Sequence, residues 1–305
     1  MIELKNLSVQ FIGSVKALDQ VNLIVPDRKN TVVIGESGSG KSVMLSAILQ
    51  ILPPSAAVTG SILLEGKELL TLSEKDMRAL RGSSIAYIPQ GGSTSMNPLL
   101  TVGYQIAEPL MEKQRIPKEK AISSAISWMR RLHLGHEEQL SASYPHTLSG
   151  GMRQRALIAM GAISGSPLLL ADEPTKGLDG ERVETVSELF RELQDRTLLC
   201  VSHDMNFVKS IADYVVIMYA AQIVEYCSCE EFFSNPLHPY SQMTLEAMPE
   251  NGLRAHLGFA PTHEDMIELG CRFYSRCPHR TKDCKSAPPM VEKGNRKVRC
   301  WMYAD

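Results

Sequence analysis

Residues 31–52 read TVVIGESGSGKSVMLSAILQIL: an apolar run, a glycine-serine turn, and a second apolar run. The first part predicts a buried strand. KSVMLSAILQIL predicts a helix, which Pro53-Pro54 stops. Between them GESGSGKS, residues 35–42, fits G-x-x-x-x-G-K-[ST], with Gly35, Gly40, Lys41 and Ser42 at the fixed positions. A loop of this kind, here Gly35, Glu36, Ser37, Gly38, Ser39 and Gly40, wraps a phosphate with backbone N–H groups. The following helix points its N-terminus at the anion. Lys41 is expected to reach the β- and γ-phosphates and Ser42 to ligate Mg²⁺. The strand before the loop and the helix after it separate this reading from a chance Gly/Ser turn.

Working outward, strands and helices alternate. Ile2–Phe11 alternates apolar and polar, as do residues 21–25, and residues 60–64 and 84–88 read as further short strands. From about 97 to 163 the pattern turns helical. In PKEKAISSAISWMRRLHLG the apolar residues Ile122, Ala125, Ile126, Met129 and Leu132 recur at helical spacing, with Pro117 placed to start the helix and Gly135 to end it. SPLLLADEP (strand), residues 181–193 (helix), TLLCVSHD (strand) and YVVIMYAAQIVEY (hairpin) follow. The expectation is an α/β P-loop fold with a mainly parallel sheet and a helical block inserted between strands. From Pro236 onward Pro, His, Cys and Lys/Arg become frequent. The expected division is therefore a nucleotide-binding domain over 1–235, with a helical subdomain at about 97–163, and a small cysteine-containing C-terminal domain over 236–305.

The run LLLADE, residues 168–173, supplies a second half of chemistry. A buried strand ending in carboxylates is expected to deliver Asp172 to the Mg²⁺ shell. Glu173 beside it is placed to polarise an attacking water.

Composition narrows the remaining classes. The chain has 305 residues, 44% hydrophobic and 22% charged, with 32 basic and 34 acidic side chains and a formal charge of −2. Nothing there calls for nucleic acid or an anionic membrane as an obligatory partner. The longest apolar stretch, residues 214–224, falls well short of the roughly 20 that a spanning helix needs. The N-terminus MIELKNLSVQF lacks the apolar core of a signal peptide, which predicts a cytosolic protein. Seven cysteines in such a setting argue against a disulfide framework.

Residues 148–152 read LSGGM and run into the strong helix former RQRALIAMGAI, and Gln90 ends the strand IAYIPQ. LSGG together with the phosphate loop closely resembles the ATP-binding subunits of ABC transporters, over residues 1 to about 240 and with the motifs in order. The resemblance implies an Asp-containing loop at Gly177-Leu178-Asp179, a switch histidine at His203 and an adenine-stacking aromatic at Phe11. It implies ATP and Mg²⁺ as cofactors, with Gln90 in the nucleotide and Mg²⁺ shell and facing a permease. Ser149, Gly150 and Gly151 would present another helix N-terminus to an anion, in this family the γ-phosphate held by the opposite subunit. Three positions depart from the usual pattern: Met152 for the common Gln, PTKGLD for PTTALD or PTSALD, and Thr147 for Glu before the signature. None removes a phosphate ligand or the catalytic carboxylate.

LSGGM followed by RQR is similar to one branch, the ATPases of peptide and nickel importers. EFFSNPLHPY, residues 231–240, resembles the segment F-x-N-P-x-H-P-Y of those subunits, and GCRFYSRCPHR…DC…VRCW resembles their cysteine-containing end. Membership implies a peripheral protein on the cytoplasmic face of the inner membrane. Its partners would be a sister ATP-binding subunit in a heterodimer, two transmembrane permeases and an extracytoplasmic binding protein, with no nucleic acid. Peptide, nickel and metal-chelate cargo all stay open. Two other readings stand beside it: a non-transport ABC ATPase acting on ribosomes or DNA, and a metal or redox protein built around the tail with a regulatory ATPase.

Cys271, Cys277, Cys284 and Cys300 are the four tail cysteines. They lack the C-x₂₋₄-C knuckle usual for zinc, and four thiolates can hold an iron–sulfur cluster. Residues 271–305 carry nine Lys/Arg against three Asp/Glu, a field expected to favour ionised thiolates. Similar tails in this branch carry a [4Fe-4S] cluster, so the resemblance favours that group. Zn²⁺, or no metal at all, is the alternative.

Overall fold

Ile2, Leu4, Leu7 and Val9 are all buried, and this pattern, alternating on either side of an irregularity between Leu4 and Leu7, makes strand β1 (Ile2–Phe11) one face of an apolar layer. The computed structural model describes residues 1–13, 16–91, 95–193, 195–252, 254, 258 and 270–304. Along the chain β1 is followed by β2 (Lys16–Val25), β3 (Asn30–Gly35), α1 (Lys41–Ile48), β4 (Ala56–Leu64) and β5 (Lys67–Glu68). Next come α2 (Glu74–Leu80), β6 (Ile85–Ile88), α3 (Val102–Gln114), α4 (Lys118–Arg131), α5 (Glu137–Ser141) and α6 (Gly150–Ala162). The last third holds β7 (Leu168–Asp172), α7 (Gly180–Glu192), β8 (Thr197–Val201), α8 (Met205–Ile211), β9 (Tyr214–Tyr219), β10 (Gln222–Ser228), α9 (Cys229–Ser234), α10 (Pro239–Glu246), β11 (Met290–Lys293) and β12 (Arg296–Arg299).

These elements form two units, residues 1–25, 31–70 and 212–305 in one, and residues 26–30 and 71–211 in the other. In the first, β2-β1-β4-β5 make an antiparallel sheet. A second sheet segment runs β11-β12-β10-β9-β3, with β3 and β9 parallel and the rest antiparallel. The cysteine-bearing tail belongs to this unit through three kinds of bond. β12 pairs with β10, Glu225 opposite Val298. Arg272 donates to Asp19 of β2 at 2.5 Å. Phe273 packs edge-on against Tyr219 of β9, ring centroids 5.1 Å apart, and against Tyr240 at 5.6 Å. Within the segment 236–305, residues 253, 255–257, 259–269 and 305 lie outside the described residues.

In the second unit β6, β7 and β8 are parallel, in the order β6-β7-β8. β7 and β8 are buried at every residue, which is why LLLAD and TLLCV read as unbroken apolar runs. The helical block is α3 to α6. Arg155, only 4% exposed on α6, donates to the Leu132 and His133 carbonyls and so closes the end of α4 onto the signature helix.

Several boundaries differ from the sequence expectation. The helix after the phosphate loop ends at Ile48, because Gln50 turns left-handed at φ +50°. The strand expected over 21–25 begins at Lys16, and β11 and β12 have no counterpart among the expected strands. Pro117 caps α4 as expected. Among the described residues no helix is long and apolar enough to cross a membrane.

Candidate nucleotide site

The phosphate loop lies in the first unit, between buried β3 and α1. Two glycines are set by close approach. A Cβ on Gly35 would sit 2.2 Å from the Met218 carbonyl oxygen, and one on Gly40, at φ +100°, 2.3 Å from that of Ala17. Larger residues at either place would push the loop off β9 or β2. Lys41 Nζ donates to the carbonyls of Gly35 at 2.7 Å and Glu36 at 2.9 Å, so the ammonium sits inside the loop's curve. Ser42 follows it on α1. The Ser39 amide donates to the Glu36 carbonyl at 3.2 Å, and the Ser39 carbonyl accepts from Ala221 at 3.2 Å. The Glu36 amide is turned to the Tyr240 hydroxyl, 3.0 Å away. Phe11 is the last residue of β1, half-buried and paired with Ala56.

The carboxylates and the signature lie in the second unit. Asp172 ends β7 and is 4% exposed. Glu173 follows at φ +50°, its amide donating to the Val201 carbonyl at 2.9 Å. That conformation is uncommon for a non-glycine residue, and it turns the side chain toward the end of β8. There Glu173 Oε2 meets His203 Nδ1 at 2.6 Å and accepts from the His203 amide at 3.4 Å. Asp204, the residue after, caps α8 by accepting from Phe207 at 3.1 Å. The structure thus brings Glu173, expected to polarise water, into contact with His203, to which the resemblance gives the switch role.

Ser149 is the N-cap of α6, its Oγ accepting from Met152 at 3.3 Å. Ser149 and Gly150 are exposed, and the first turn carries no acidic residue, so the positive end of the helix faces outward. Asp179 caps α7, accepting from Arg182 at 3.1 Å and pairing with its guanidinium. Within this unit Leu178 packs beside Gly151, which places the signature next to the Asp179 loop. Gln90 is exposed in the segment after β6, its carbonyl accepting from Ser95 at 3.1 Å.

The tail holds a third cluster, in the first unit. Cys271, Cys277, Cys284 and Cys300 line one cavity of 110 Å³ together with His238 and Trp301, and all four thiols are free. Thr281 N–H lies 3.5 Å from Cys284 Sγ. Among the described residues, no group of three or more His, Cys, Asp or Glu side chains is arranged to hold a metal ion. The expected effect of the tail's basic charge is also corrected. Burial first, then like charge from the other thiols, pushes the Cys271 thiol up to about 11, and burial raises Cys277 and Cys300. The nine cations are not what sets these thiols, because desolvation outweighs them.

Two residues that sequence reasoning passed over emerge here, Tyr240 and Arg276, which both bond to Glu36 of the phosphate loop. The sequence carried one signal, the HPY run. Nothing in it says that its tyrosine reaches residue 36.

A phosphate loop opening a helix, carboxylates ending a buried parallel strand and an exposed Ser-Gly-Gly helix start define a P-loop nucleotide hydrolase of the cassette type. The ABC transporter family model matches residues 18–176, and a model for the C-terminal region of oligopeptide/dipeptide transporters matches residues 224–284. The chain belongs to the ABC transporter family and is an ATPase of that family. It is 35% identical to the oligopeptide transport ATP-binding protein AppD of Bacillus subtilis, over 100% of this chain and 97% of that one. It is 37% identical to OppD of the same organism, over 99% and 88%, and 34% identical to OppD of Escherichia coli, over 96% and 90%. A solved dimeric ATP-binding cassette, in a post-hydrolysis state with ADP and phosphate, superposes with a TM-score of 0.69 at 26% identity. It covers 75% of this chain and 99% of the cassette.

Proposed function

We propose that this chain is the ATP-hydrolysing subunit of a peptide importer. It works on the cytoplasmic face of the cell membrane with a sister ATP-binding subunit, two permeases and an extracytoplasmic binding protein. One observation carries the reading: a single chain joins the ABC transporter match over 18–176 to the oligopeptide/dipeptide match over 224–284. The names of the relatives favour peptides over nickel or metal chelates. An ATPase acting on ribosomes or nucleic acid would have no use for that C-terminal region, and a formal charge of −2 supplies no basic footprint.

In this reading the loop Gly35–Ser42 holds the phosphates with Lys41, and Ser42, Asp172 and Gln90 serve Mg²⁺. Glu173 orients and polarises the attacking water, and the His203 imidazole fixes the carboxylate that does so. Ser149, Gly150 and Gly151 close on nucleotide held by the sister subunit, with Asp179 beside them, and Phe11 stacks on adenine. The test is purification of the full chain from its native membrane, with ATPase assayed against peptide-loaded binding protein. Co-purifying permeases and stimulation by the loaded protein are expected. Ribosomes or DNA in their place would overturn the reading.

We also propose that the cavity lined by the four cysteines holds a [4Fe-4S] cluster, with Zn²⁺ as the weaker candidate. Four free thiols around one cavity are a soft donor set that suits a thiophilic group. Such a group would cross-link the tail and hold it in shape.

A further inference from the structure

Glu36, the second residue of GESGSGKS, is held at three points. Its amide donates to Tyr240 Oη at 3.0 Å, its carbonyl accepts from Lys41 Nζ at 2.9 Å, and its Oε1 accepts from Arg276 Nη1 at 2.7 Å. Two of these anchors come from the C-terminal region, outside the ATPase motifs. Both are rigid. Tyr240 is 3% exposed and its ring lies 4.7 Å from that of Tyr219. The Arg276 guanidinium sits over the rings of Tyr219 and Phe273, 5.7 Å from each centroid, and its side chain is 10% exposed. A second bond from Nη1 to the Tyr219 hydroxyl, 3.4 Å, holds it in register.

This arrangement has an electrostatic consequence. A carboxylate in a loop that must receive a polyphosphate repels its ligand, and the Glu36 side chain, 34% exposed, is only partly screened by water. Arg276 pairs with that carboxylate, and the pairing also fixes where the Glu36 backbone stands. Lys41 bonds to that backbone, so the position of Glu36 is passed to the lysine assigned to the phosphates. We propose that Arg276, together with Tyr240, is a positioning residue of the phosphate loop, so that the C-terminal region sets the affinity for the nucleoside triphosphate. The proposal rests on the phosphate-loop reading above.

The experiment is equilibrium titration of the full chain with a fluorescent ATP analogue and Mg²⁺, alongside steady-state ATPase of the assembled transporter. Arg276→Gln is expected to raise the dissociation constant about tenfold, the scale of one charge-assisted hydrogen bond. Arg276→Lys, which keeps the charge, should recover most of it. KM should rise more than kcat falls. Tyr240→Phe removes one hydroxyl and should weaken binding about threefold, and in a Glu36→Gln background Arg276→Gln should add little. Lys41→Ala is the reference. If it leaves binding intact, the phosphate-loop reading fails. If it weakens binding while a folded Arg276→Gln and Tyr240→Phe both bind as wild type, only the positioning role is overturned. That role is equally overturned if lysine and glutamine at 276 behave alike and only lower the melting temperature. Should Arg276→Gln not fold, Glu36→Gln and Tyr240→Phe carry the test.

Discussion

Nδ1 of His203 stands 2.6 Å from Oε2 of Glu173, a residue whose backbone is left-handed at φ +50°. A left-handed glutamate costs of order 1 kcal/mol or more, and the surrounding bonds hold it there: the Glu173 amide on Val201 and its carboxylate on the His203 amide. The strain fixes the carboxylate at the end of the strand instead of letting it follow the strand's alternation.

Glu173→Gln is therefore expected to keep nucleotide binding and cut turnover by about 10²-fold or more, the range for loss of a general base. His203→Ala leaves the carboxylate in place without its fixing partner and should cost less. Single-turnover ATPase and nucleotide affinity on both variants check this. Wild-type hydrolysis by Glu173→Gln would remove the residue from the chemistry.

Glu225 is fully buried and accepts from Leu237 and His238 amides, each at 2.8 Å, and from Arg296 at 2.9 Å. These bonds tie β10, the HPY segment and β12 together. Arg296→Met leaves a buried carboxylate without its cation and should destabilise the chain by about 3–5 kcal/mol. Urea unfolding measures it, and Glu225→Gln combined with Arg296→Met should recover a large share. Equal stability of the single variant and the wild type would mean that the pair contributes nothing.

Asp19 gives a pH dependence. Burial raises its carboxyl, but Lys16 and Arg272 together outweigh burial and hold it below the ordinary value. A lowered folded pKa means that the stabilisation is present above the unfolded value and is lost as pH falls through the folded one. The tail's hold on β2 should therefore weaken below about pH 4. Asp19→Asn should be less stable than wild type at pH 7, by about 1–3 kcal/mol, with the gap closing toward pH 3. A gap independent of pH, measured by denaturant titration, would exclude the carboxylate as its source.

The ATPase half of the chain was legible because phosphate chemistry fixes residue types at fixed spacing. Gly35, Gly40, Lys41, Asp172, Glu173 and Ser149 could be named from motif and local context, and the structure shows why Gly35 and Gly40 have no room for a side chain. What the sequence hid is long-range. Arg276 meets Glu36 across 240 positions and Arg272 meets Asp19 across 253, and no periodicity in a local window encodes such pairs. β12, RKVR, shows no strand signal because three of its four residues are charged, although Val298 is buried against β10. One signal stood in the sequence unread. Ser228 and Glu231 form a capping box that starts α9.

The cysteine cavity yields the remaining prediction. Cys271, Cys277 and Cys300 carry thiols that burial raises. Without a cation, ionising several thiols around one cavity costs repulsion and desolvation. Bound iron or zinc reverses that balance, because a coordinated thiol is deprotonated outright. The full chain purified without oxygen is expected to be brown and to carry about four irons. Cys277→Ser should lose iron and colour. Loss of the group should loosen the tail, so that assembly with the sister subunit fails before ATP chemistry does. Metal analysis and a visible spectrum decide between the candidates. A colourless anaerobic sample with one zinc per chain would replace the cluster with a single ion, and one with neither metal would leave the four thiols as packing.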